Sequence, residues 1–303
     1  MGCGLRLRLL LQVSRPGLYL VTIWVYLLPT GAQYSVWGEP NFWVGMVYCT
    51  MPINLLVYWW NDLGDTETDQ ANPRKGGMWF GGRTPVPVLW DLAPLVVAAQ
   101  VPFLVYFAWQ IGIAWASAWF GAVLAVNFAY NTGPIKLSSQ HPPLDFLGPL
   151  GYLLLIPLSE RLNRTRGLPA VGWAHTIFYI VRTQLWTEIM DAPHDRRGGR
   201  VTSALALAAR HRQLPRLVLT IVLALELVFV CTAIGDVPVC AFSALSLIIS
   251  VVEGAMEERS TKAPMAQMAA TTTAVLGLGG ISMLWHVWQS GVLSAQAAGS
   301  LIE

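Results

Sequence analysis

The sequence predicts an all-α protein that crosses a membrane many times. Apolar residues make up 54% of its 303 residues and charged residues only 12%, against roughly 25% charged residues in ordinary soluble domains. The apolar residues gather in runs of about 20, the length that a helix needs to cross the hydrocarbon core of a bilayer. Such runs are too long for barrel strands, and a helix satisfies its own backbone hydrogen bonds in lipid.

Nine apolar stretches are candidate transmembrane helices. In chain order they cover residues 17–37, 41–60, 86–108, 112–131, 144–160, 169–190, 214–234, 236–252 and 267–289. The fifth and eighth are short, and the seventh and eighth could be miscounted across the Gly-Asp-Val-Pro sequence at 235–238. We expect residues 1–303 to form a single transmembrane domain, with two longer polar connections at 61–85 and 191–213.

The distribution of basic residues predicts the orientation. Of the 19 Lys and Arg residues, nine spans would place 15 on the side of the N-terminus, three on the other side, and Arg182 within a span. Because cytoplasmic loops carry an excess of Lys and Arg, the N-terminus and both polar connections are predicted to face the cytoplasm. No basic patch is interleaved with a soluble fold, which argues against a nucleic-acid partner.

Two acidic clusters stand at the ends of apolar stretches. Each places three carboxylates three and then four residues apart: Asp62, Asp65 and Asp69, then Glu188, Asp191 and Asp195. This spacing puts three side chains on one helix face, although we expect Pro193 to break the second helix so that its cluster lies partly on a turn. Carboxylates at membrane depth are costly and mark functional sites. Facing carboxylates suit Mg²⁺ bound to substrate phosphates.

Further polar residues follow the clusters along the chain. Basic side chains that could contact phosphate oxygens are Arg74, Lys75 and Arg83 after the first cluster, and Arg196, Arg197 and Arg200 after the second. Arg can bind phosphate through two hydrogen bonds, but positive-inside topology alone would also explain these residues. Asn61 could add a neutral oxygen ligand. Tyr130 and Lys136, where the fourth span reaches the cytoplasmic face, could also reach the site.

Aromatic residues lie on the membrane side of both clusters. They are Tyr58, Trp59, Trp60 and Trp186. Aromatic faces stabilise cations, whereas an interfacial aromatic belt would have the same composition. The belt is favoured for Trp59 and Trp60, and both interpretations stay open for Tyr58 and Trp186. Arg182, within the sixth span, could bind a carboxylate of a substrate, pair with Glu188, or contribute to packing.

Together these segments resemble the UbiA family of intramembrane prenyltransferases. Asn61-Asp62-x-x-Asp65-x-x-x-Asp69 matches the family's first aspartate-rich motif, and Asp191-x-x-x-Asp195 matches the second. Residues 130–136 are similar to its Tyr-Ser-x-Pro-Pro-x-x-Lys segment, and residues 14–16 to the Arg-Pro that opens its first helix. Residues 72–77, Asn-Pro-Arg-Lys-Gly-Gly, are similar to the subgroup that lengthens carotenoids such as lycopene.

The resemblance implies nine helices around a central cavity, with a lipid-facing channel for a prenyl tail. It implies a transferase that ionises a polyprenyl diphosphate and passes the allylic cation to a lipophilic acceptor, either aromatic or quinone-type or a carotenoid. Magnesium would be held by Asp62, Asp65, Asp69, Asp191 and Asp195. The diphosphate would be bound by Arg74, Lys75, Arg83, Lys136 and Arg200, with Asn61 and Tyr130 as supports.

Two other functions are open to the same sequence. A terpene cyclase on this scaffold would use the same ionisation and let the substrate's own alkene capture the cation. A membrane transporter would place acidic residues within discontinuous helices near the midplane. The acidic residues here cluster at one face beside basic residues, which favours an enzyme.

Overall fold

The computed structural model describes residues 3–71, 75–79, 81–259 and 279–294, and within these ranges it contains helices and short connections but no strand. The α-helices are α1 (Cys3–Val13), α2 (Tyr19–Leu27), α3 (Pro40–Tyr48), α4 (Met51–Ala71), α5 (Val86–Ile111), α6 (Ile113–Asn131), α7 (Leu137–Gln140), α8 (Leu147–Leu150), α9 (Leu155–Asn163), α10 (Ala170–Arg197), α11 (Ser203–Arg210), α12 (Leu214–Phe229), α13 (Val237–Arg259) and α14 (Gly280–Ser290). The predicted all-α fold is confirmed.

Five helical stretches are long and apolar enough to cross a membrane. They are Pro40–Thr66, Val86–Ile111, Ile113–Asn131, Leu214–Ile234 and Val237–Met256. These stretches overlap the second, third, fourth, seventh and eighth predicted spans, so the prediction of an integral membrane protein is confirmed. The predicted count of nine spans is not confirmed.

Two of the other four predicted spans are divided into short pieces. In 17–37, helix α2 ends at Leu27, and short 3-10 turns follow at Leu28–Thr30 and Tyr34–Gly38. Stretch 144–160 contains 3-10 turns and two short α-helices, α8 and α9. Glycine and proline occur in both stretches, and these residues disfavour an unbroken helix.

The remaining two predicted spans differ in other ways. Helix α10 runs unbroken for 28 residues, but buried polar residues such as His175, Arg182 and Glu188 make it less apolar than the five spans above. Residues 260–278 lie outside the described part of the chain, so the ninth span is seen only through α14.

The prediction that Pro193 breaks the second acidic helix is wrong. Helix α10 continues through Pro193 to Arg197 and carries both Asp191 and Asp195. Pro193 is exposed near the end of the helix, where its missing N–H removes a single backbone hydrogen bond. Residues 61–71, predicted to open a polar connection, likewise continue α4. Both acidic clusters therefore lie on regular helix ends.

Buried ionic contacts join α10 to α12 and α12 to α13. Arg182 Nε lies 2.9 Å from Glu226 Oε2, and both side chains are almost fully buried. Arg216 Nη1 donates to Glu253 Oε2 at 2.9 Å, and Trp186 Nε1 donates to the same oxygen at 3.1 Å. Ionisable residues inside a membrane bundle are expected to pair in this way. Arg182 thus pairs with Glu226 and not with Glu188.

Candidate active site

The two acidic clusters meet at one arginine. Arg200 Nη1 lies 3.4 Å from Asp65 Oδ2 and 3.6 Å from Asp195 Oδ1. Because both distances run to one nitrogen, they set an upper limit of about 7 Å between the two carboxylate oxygens. Asp65 is 4% exposed and Asp195 6% exposed. The structure therefore brings the ends of α4 and α10 together, as the sequence predicted.

Two basic residues pair with the carboxylates of the first cluster. Lys75 Nζ lies 3.0 Å from Asp62 Oδ1 and 2.7 Å from Asp69 Oδ2, and so links two carboxylates spaced seven residues apart on α4. Arg15 pairs with Asp62 and donates to Asn61 Oδ1 at 2.8 Å. The stripe of carboxylates is thus matched by positive charge from two separate segments of the chain.

The end of α6 and the turn after it complete the site. Lys136 Nζ donates to the Gly64 carbonyl at 2.6 Å and lies 3.3 Å from Asp65 Oδ1. Asn61 Nδ2 donates to Asp65 Oδ2 and to Asn131 Oδ1, each at 3.1 Å. A Cβ at Gly64 would lie 2.6 Å from the Asn131 carbonyl oxygen. Glycine at this position therefore permits the close approach of α4 to α6.

Burial and neighbouring charge shift the pKa values of site residues. Burial raises the pKa of Asp69 above its ordinary value, and Lys75 offsets part of that rise. For Arg15, burial alone lowers the pKa, but the carboxylates of Asp62 and Asp69 outweigh it and raise the net pKa. The same balance, with Asp65 and Asp195 as the main carboxylates, raises the pKa of Arg200. Both arginines are therefore fixed cations.

The carboxylates have the chemistry of a magnesium site. In the described ranges, no three His, Cys, Asp or Glu side chains converge closely enough to surround a metal ion, and Lys and Arg side chains lie between the carboxylates instead. Yet Asp62 Oδ2 is buried with no hydrogen-bond donor among the described residues. Carboxylate oxygens are the ligands that Mg²⁺ prefers, so the residues present fit this ion.

The structure also places the other predicted residues. Arg83 lines a small pocket with Asp62 and Asp69, and Asp191 lies half-buried one turn before Asp195 on α10. Tyr130 lines a larger cavity, described below. Arg196 and Arg197 are exposed. Arg74 lies outside the described residues.

Glu188, the third member of the second cluster, contacts Gln184 and the start of α11. Its Oε2 accepts a hydrogen bond from the Ala204 backbone N–H at 3.1 Å, while Asp145 accepts bonds from the Ser203 backbone N–H and hydroxyl at 2.5 and 2.7 Å. Carboxylates satisfy the free N–H groups at a helix N-terminus and interact well with its dipole. Glu188 therefore anchors α11. Its role is structural, although its spacing fits the acidic stripe.

An apolar cavity of about 260 Å³ opens beneath the acidic site, between α4, α6 and α10. At its polar end are Arg15, Asn61 and Asn131. Its aromatic lining residues are Tyr58, Tyr130, Tyr152 and Tyr179. Trp186 lies outside it and packs with Leu185 and Leu219. Of the two aromatic residues left open by the sequence, Tyr58 lines the cavity and Trp186 belongs to the core.

Several residues of this arrangement were missed from the sequence. Arg15 was noted only as part of an Arg-Pro pair, and the position of that pair just before an apolar run was the sole indication of its role. Asn131 was quoted within a motif without a role. Tyr152 and Tyr179 carried no sequence signal, because only the packing of distant segments places them on a cavity wall.

The fold is that of the UbiA homologues of known structure. One such structure, from Archaeoglobus fulgidus bound to GPP and Mg²⁺, superposes with a TM-score of 0.58 at 11% identity, covering 91% of this chain and 99% of the other. Another, of a UbiA homologue from the same organism bound to DMAPP and Mg²⁺, gives a TM-score of 0.53 at 12% identity, with the same coverage. The resemblance indicated by the sequence motifs is thus confirmed in the fold.

The chain is also similar in sequence to two lycopene elongase/hydratases. The chain is 27% identical over 211 residues to the lycopene elongase/hydratase of Corynebacterium glutamicum, covering 68% of this chain and 71% of that protein. It is 26% identical over 209 residues to the lycopene elongase/hydratase of Halobacterium salinarum, covering 67% and 72%. No protein-family model matches the chain.

Proposed function

We propose that this protein is a magnesium-dependent intramembrane prenyltransferase. It would move a prenyl group from a polyprenyl diphosphate to a lipophilic acceptor, and the names of its sequence relatives favour a carotenoid such as lycopene. The observation that carries the proposal is the meeting of Asp65 and Asp195 at Arg200, directly above an apolar cavity. Such a site can hold a diphosphate and a hydrocarbon tail at once.

The carboxylates provide the cation-binding half of the site. Asp62, Asp65, Asp69, Asp191 and Asp195 would hold Mg²⁺, with Asn61 orienting Asp65 through its 3.1 Å hydrogen bond. When bound, the metal supplies positive charge that stabilises diphosphate as a leaving group. The fit of this ion rests on the acidic donor set and on the buried Asp62 oxygen described above.

The basic residues provide the anion-binding half. Arg15, Lys75, Lys136 and Arg200 each lie within 3.4 Å of a carboxylate of the first cluster, so a diphosphate in the site would be within reach of several of them. Arg83 lines the adjacent pocket, and Arg74 is proposed from the sequence alone. Fixed cations aimed at a leaving group stabilise the charge that develops as its bond breaks.

The cavity would hold the prenyl chain and exclude water from the allylic cation. The aromatic residues Tyr58, Tyr130, Tyr152 and Tyr179 line this space. Aromatic faces stabilise a cation by electrostatic attraction, and a dry cavity prevents its premature capture by water. Tyr130, at the end of α6, would support the reacting end of the chain.

The proposal includes an orientation in the membrane and a single domain. The excess of Lys and Arg near α1, the end of α4 and the end of α10 favours a cytoplasmic N-terminus and a cytoplasmic active-site face. The acidic site draws residues from segments before α2 and after α10, which supports a single domain.

The test is an incubation of purified protein in lipid nanodiscs with DMAPP or GPP and Mg²⁺. Lycopene, a quinone and a phenol are each supplied in parallel, and products are identified by mass spectrometry. We expect prenylated lycopene and acceptor-dependent release of diphosphate. A hydrocarbon product formed without any acceptor would instead show a terpene cyclase. Absence of diphosphate release with every donor and acceptor would contradict the proposal.

A further inference from the structure

Two tyrosine hydroxyls are joined across the cavity at its polar end. Tyr58 comes from α4 and Tyr152 from the segment between α8 and α9, and their hydroxyl oxygens lie 2.5 Å apart. Both residues line the cavity. The two hydroxyls carry two protons, and only one of these can lie in the hydrogen bond between the oxygens. The pair can therefore release its second proton towards the cavity, or accept a proton from it.

The pair lies between the acidic site and the apolar part of the cavity. Tyr58 precedes Asp62 by one helical turn, about 6 Å along the axis of α4, and points to the same face. The Arg15 guanidinium lies over the Tyr58 ring, with its Cζ 4.3 Å from the ring centroid, and the same guanidinium pairs with Asp62. One side of the hydroxyl pair therefore adjoins the groups proposed to bind diphosphate.

The chemistry of transfer requires a proton acceptor in this cavity. When an alkene carbon attacks a prenyl cation, the acceptor becomes a cation and must lose a proton to give a neutral alkene. Among the described residues that line the cavity there is no Asp, Glu or His. Most other polar lining groups are engaged elsewhere: Asn127 donates to Val123 O, Gln184 to Glu188, and Thr187 to Thr183 O.

We propose that Tyr152 and Tyr58 carry the terminating proton from the acceptor to the departing diphosphate. This inference rests on the proposed function. The carbon–oxygen bond of the donor breaks, and its electron pair leaves on diphosphate. The π pair of the acceptor forms the new carbon–carbon bond. The electron pair of a neighbouring C–H bond then forms the new double bond, and the proton from that bond passes to the Tyr152 oxygen. Tyr152 gives its own proton to Tyr58 across their hydrogen bond, and Tyr58 delivers its original proton to diphosphate beside Arg15, so that both hydroxyls end the step neutral.

The test compares Tyr152→Phe and Tyr58→Phe with the wild type in nanodiscs, using DMAPP, Mg²⁺ and lycopene. Each substitution keeps the aromatic ring and removes one hydroxyl. The readout is moles of alkene product per mole of diphosphate released. General acid–base groups contribute roughly 10²–10⁴-fold, so we expect this ratio to fall at least about tenfold in each variant, with alcohol or isomeric products in place of the alkene.

A matched control removes a buried tyrosine hydroxyl away from the cavity. Tyr48 donates to Gln100 Oε1 at 3.1 Å between α3 and α5, and Tyr48→Phe should keep the wild-type ratio. A purely structural role for Tyr58 and Tyr152 would lower diphosphate release and product together and leave their ratio unchanged. A wild-type ratio in both variants would overturn the inference alone. If the wild type releases no diphosphate, the proposed function fails as well.

Discussion

Asp65 and Asp195, which lie far apart in the chain, contact the same Nη1 atom of Arg200 at 3.4 and 3.6 Å. The contact joins the end of α4 to the end of α10. Close carboxylates repel one another unless positive charge lies between them, so Arg200 holds the two helix ends together in this structure. The same arginine would face the diphosphate in the proposed reaction, and this dual position leads to the first two predictions.

Asp65→Ala should abolish turnover and leave the protein folded in the membrane. Asp65 contacts Lys136, Arg200 and Asn61, so its loss removes the carboxylate shared by most of the site. We expect diphosphate release to fall at least about 100-fold, the scale of one strong electrostatic contact in a transition state. Release from radiolabelled GPP measures this, with size-exclusion chromatography to check folding.

The matched control for Asp65→Ala is Asp91→Ala on α5. Asp91 is exposed and lies outside the candidate site. We expect wild-type turnover from this variant. Full activity in Asp65→Ala, with Mg²⁺ and the natural donor, would refute the metal-binding role of the first cluster.

Arg200→Lys should weaken donor binding more than it slows the chemical step. The arginine contacts Asp65, Asp195 and the Ser138 carbonyl at 3.1 Å, and lysine cannot reproduce these planar contacts. We expect KM for the prenyl diphosphate to rise roughly 10- to 100-fold, corresponding to about 1.4–2.8 kcal/mol. Steady-state kinetics over a range of donor concentrations measures the change.

Arg197→Lys serves as the control for the arginine substitution. Arg197 is exposed at the end of α10, and the change should leave KM within about twofold of the wild-type value, the small effect usual for surface substitutions. An unchanged KM in Arg200→Lys would show that Arg200 holds the helices together and does not bind the donor.

Gly64→Ala should disturb the site by separating α4 from α6. The added Cβ would lie 2.6 Å from the Asn131 carbonyl oxygen, a backbone atom, so the two helices must move apart. Overpacking of this kind costs about 1–3 kcal/mol, and a displacement near 1 Å can cost about 100-fold in rate. Both the midpoint temperature of thermal unfolding in detergent and the turnover rate should fall.

Gly121→Ala gives the comparison for Gly64→Ala. Gly121 lies on α6, and a Cβ there would meet nothing within 4 Å. Replacing glycine with alanine within a helix is then stabilising by roughly 0.5–1 kcal/mol. Wild-type turnover in Gly64→Ala would show that the close approach of α4 to α6 is not needed for the site.

The Arg182–Glu226 pair should be essential as a pair and replaceable as a whole. The two side chains are 1% and 0% exposed, so Arg182→Met or Glu226→Gln leaves a buried group without its partner. Breaking a buried pair costs about 3–5 kcal/mol, whereas replacing both partners with apolar residues is often neutral. We expect large destabilisation in each single variant and recovery in Arg182→Met with Glu226→Leu. Equal stability in all variants would contradict this account.

The shared helix face of the first acidic cluster could be predicted from the sequence, because the spacing of its residues is a local property of helices. Asp62, Asp65 and Asp69 share a face of α4 wherever that helix packs in the fold. Asp195 lies near the end of α10. The behaviour of Pro193 was predicted wrongly, because a proline removes one backbone hydrogen bond without always ending the helix, as Pro94 and Pro102 within α5 also show. The span predicted at 169–190 overlaps helix α10, but α10 is not among the five stretches apolar enough to count as spans, because its buried polar residues lower its hydropathy.

Contacts between distant segments could not be predicted. Arg15 reaches Asp62 from before the first described membrane helix, and Tyr152 meets Tyr58 across the cavity. Each contact depends on how α4 packs against other segments, which no local pattern encodes. Glu188 fits the acidic spacing, yet it lies at the N-terminus of α11, where the free backbone N–H of Ala204 donates to it.

Calorimetric titration of GPP into the purified protein, with Mg²⁺ or with EDTA, tests most directly whether the two acidic helix ends bind a prenyl diphosphate through magnesium. We predict binding by the wild type with Mg²⁺, its loss in EDTA, its recovery when Mg²⁺ is restored, and no binding by Asp65→Ala or Asp195→Ala. Equal affinity in EDTA and in Mg²⁺, or wild-type affinity in either variant, would contradict the account.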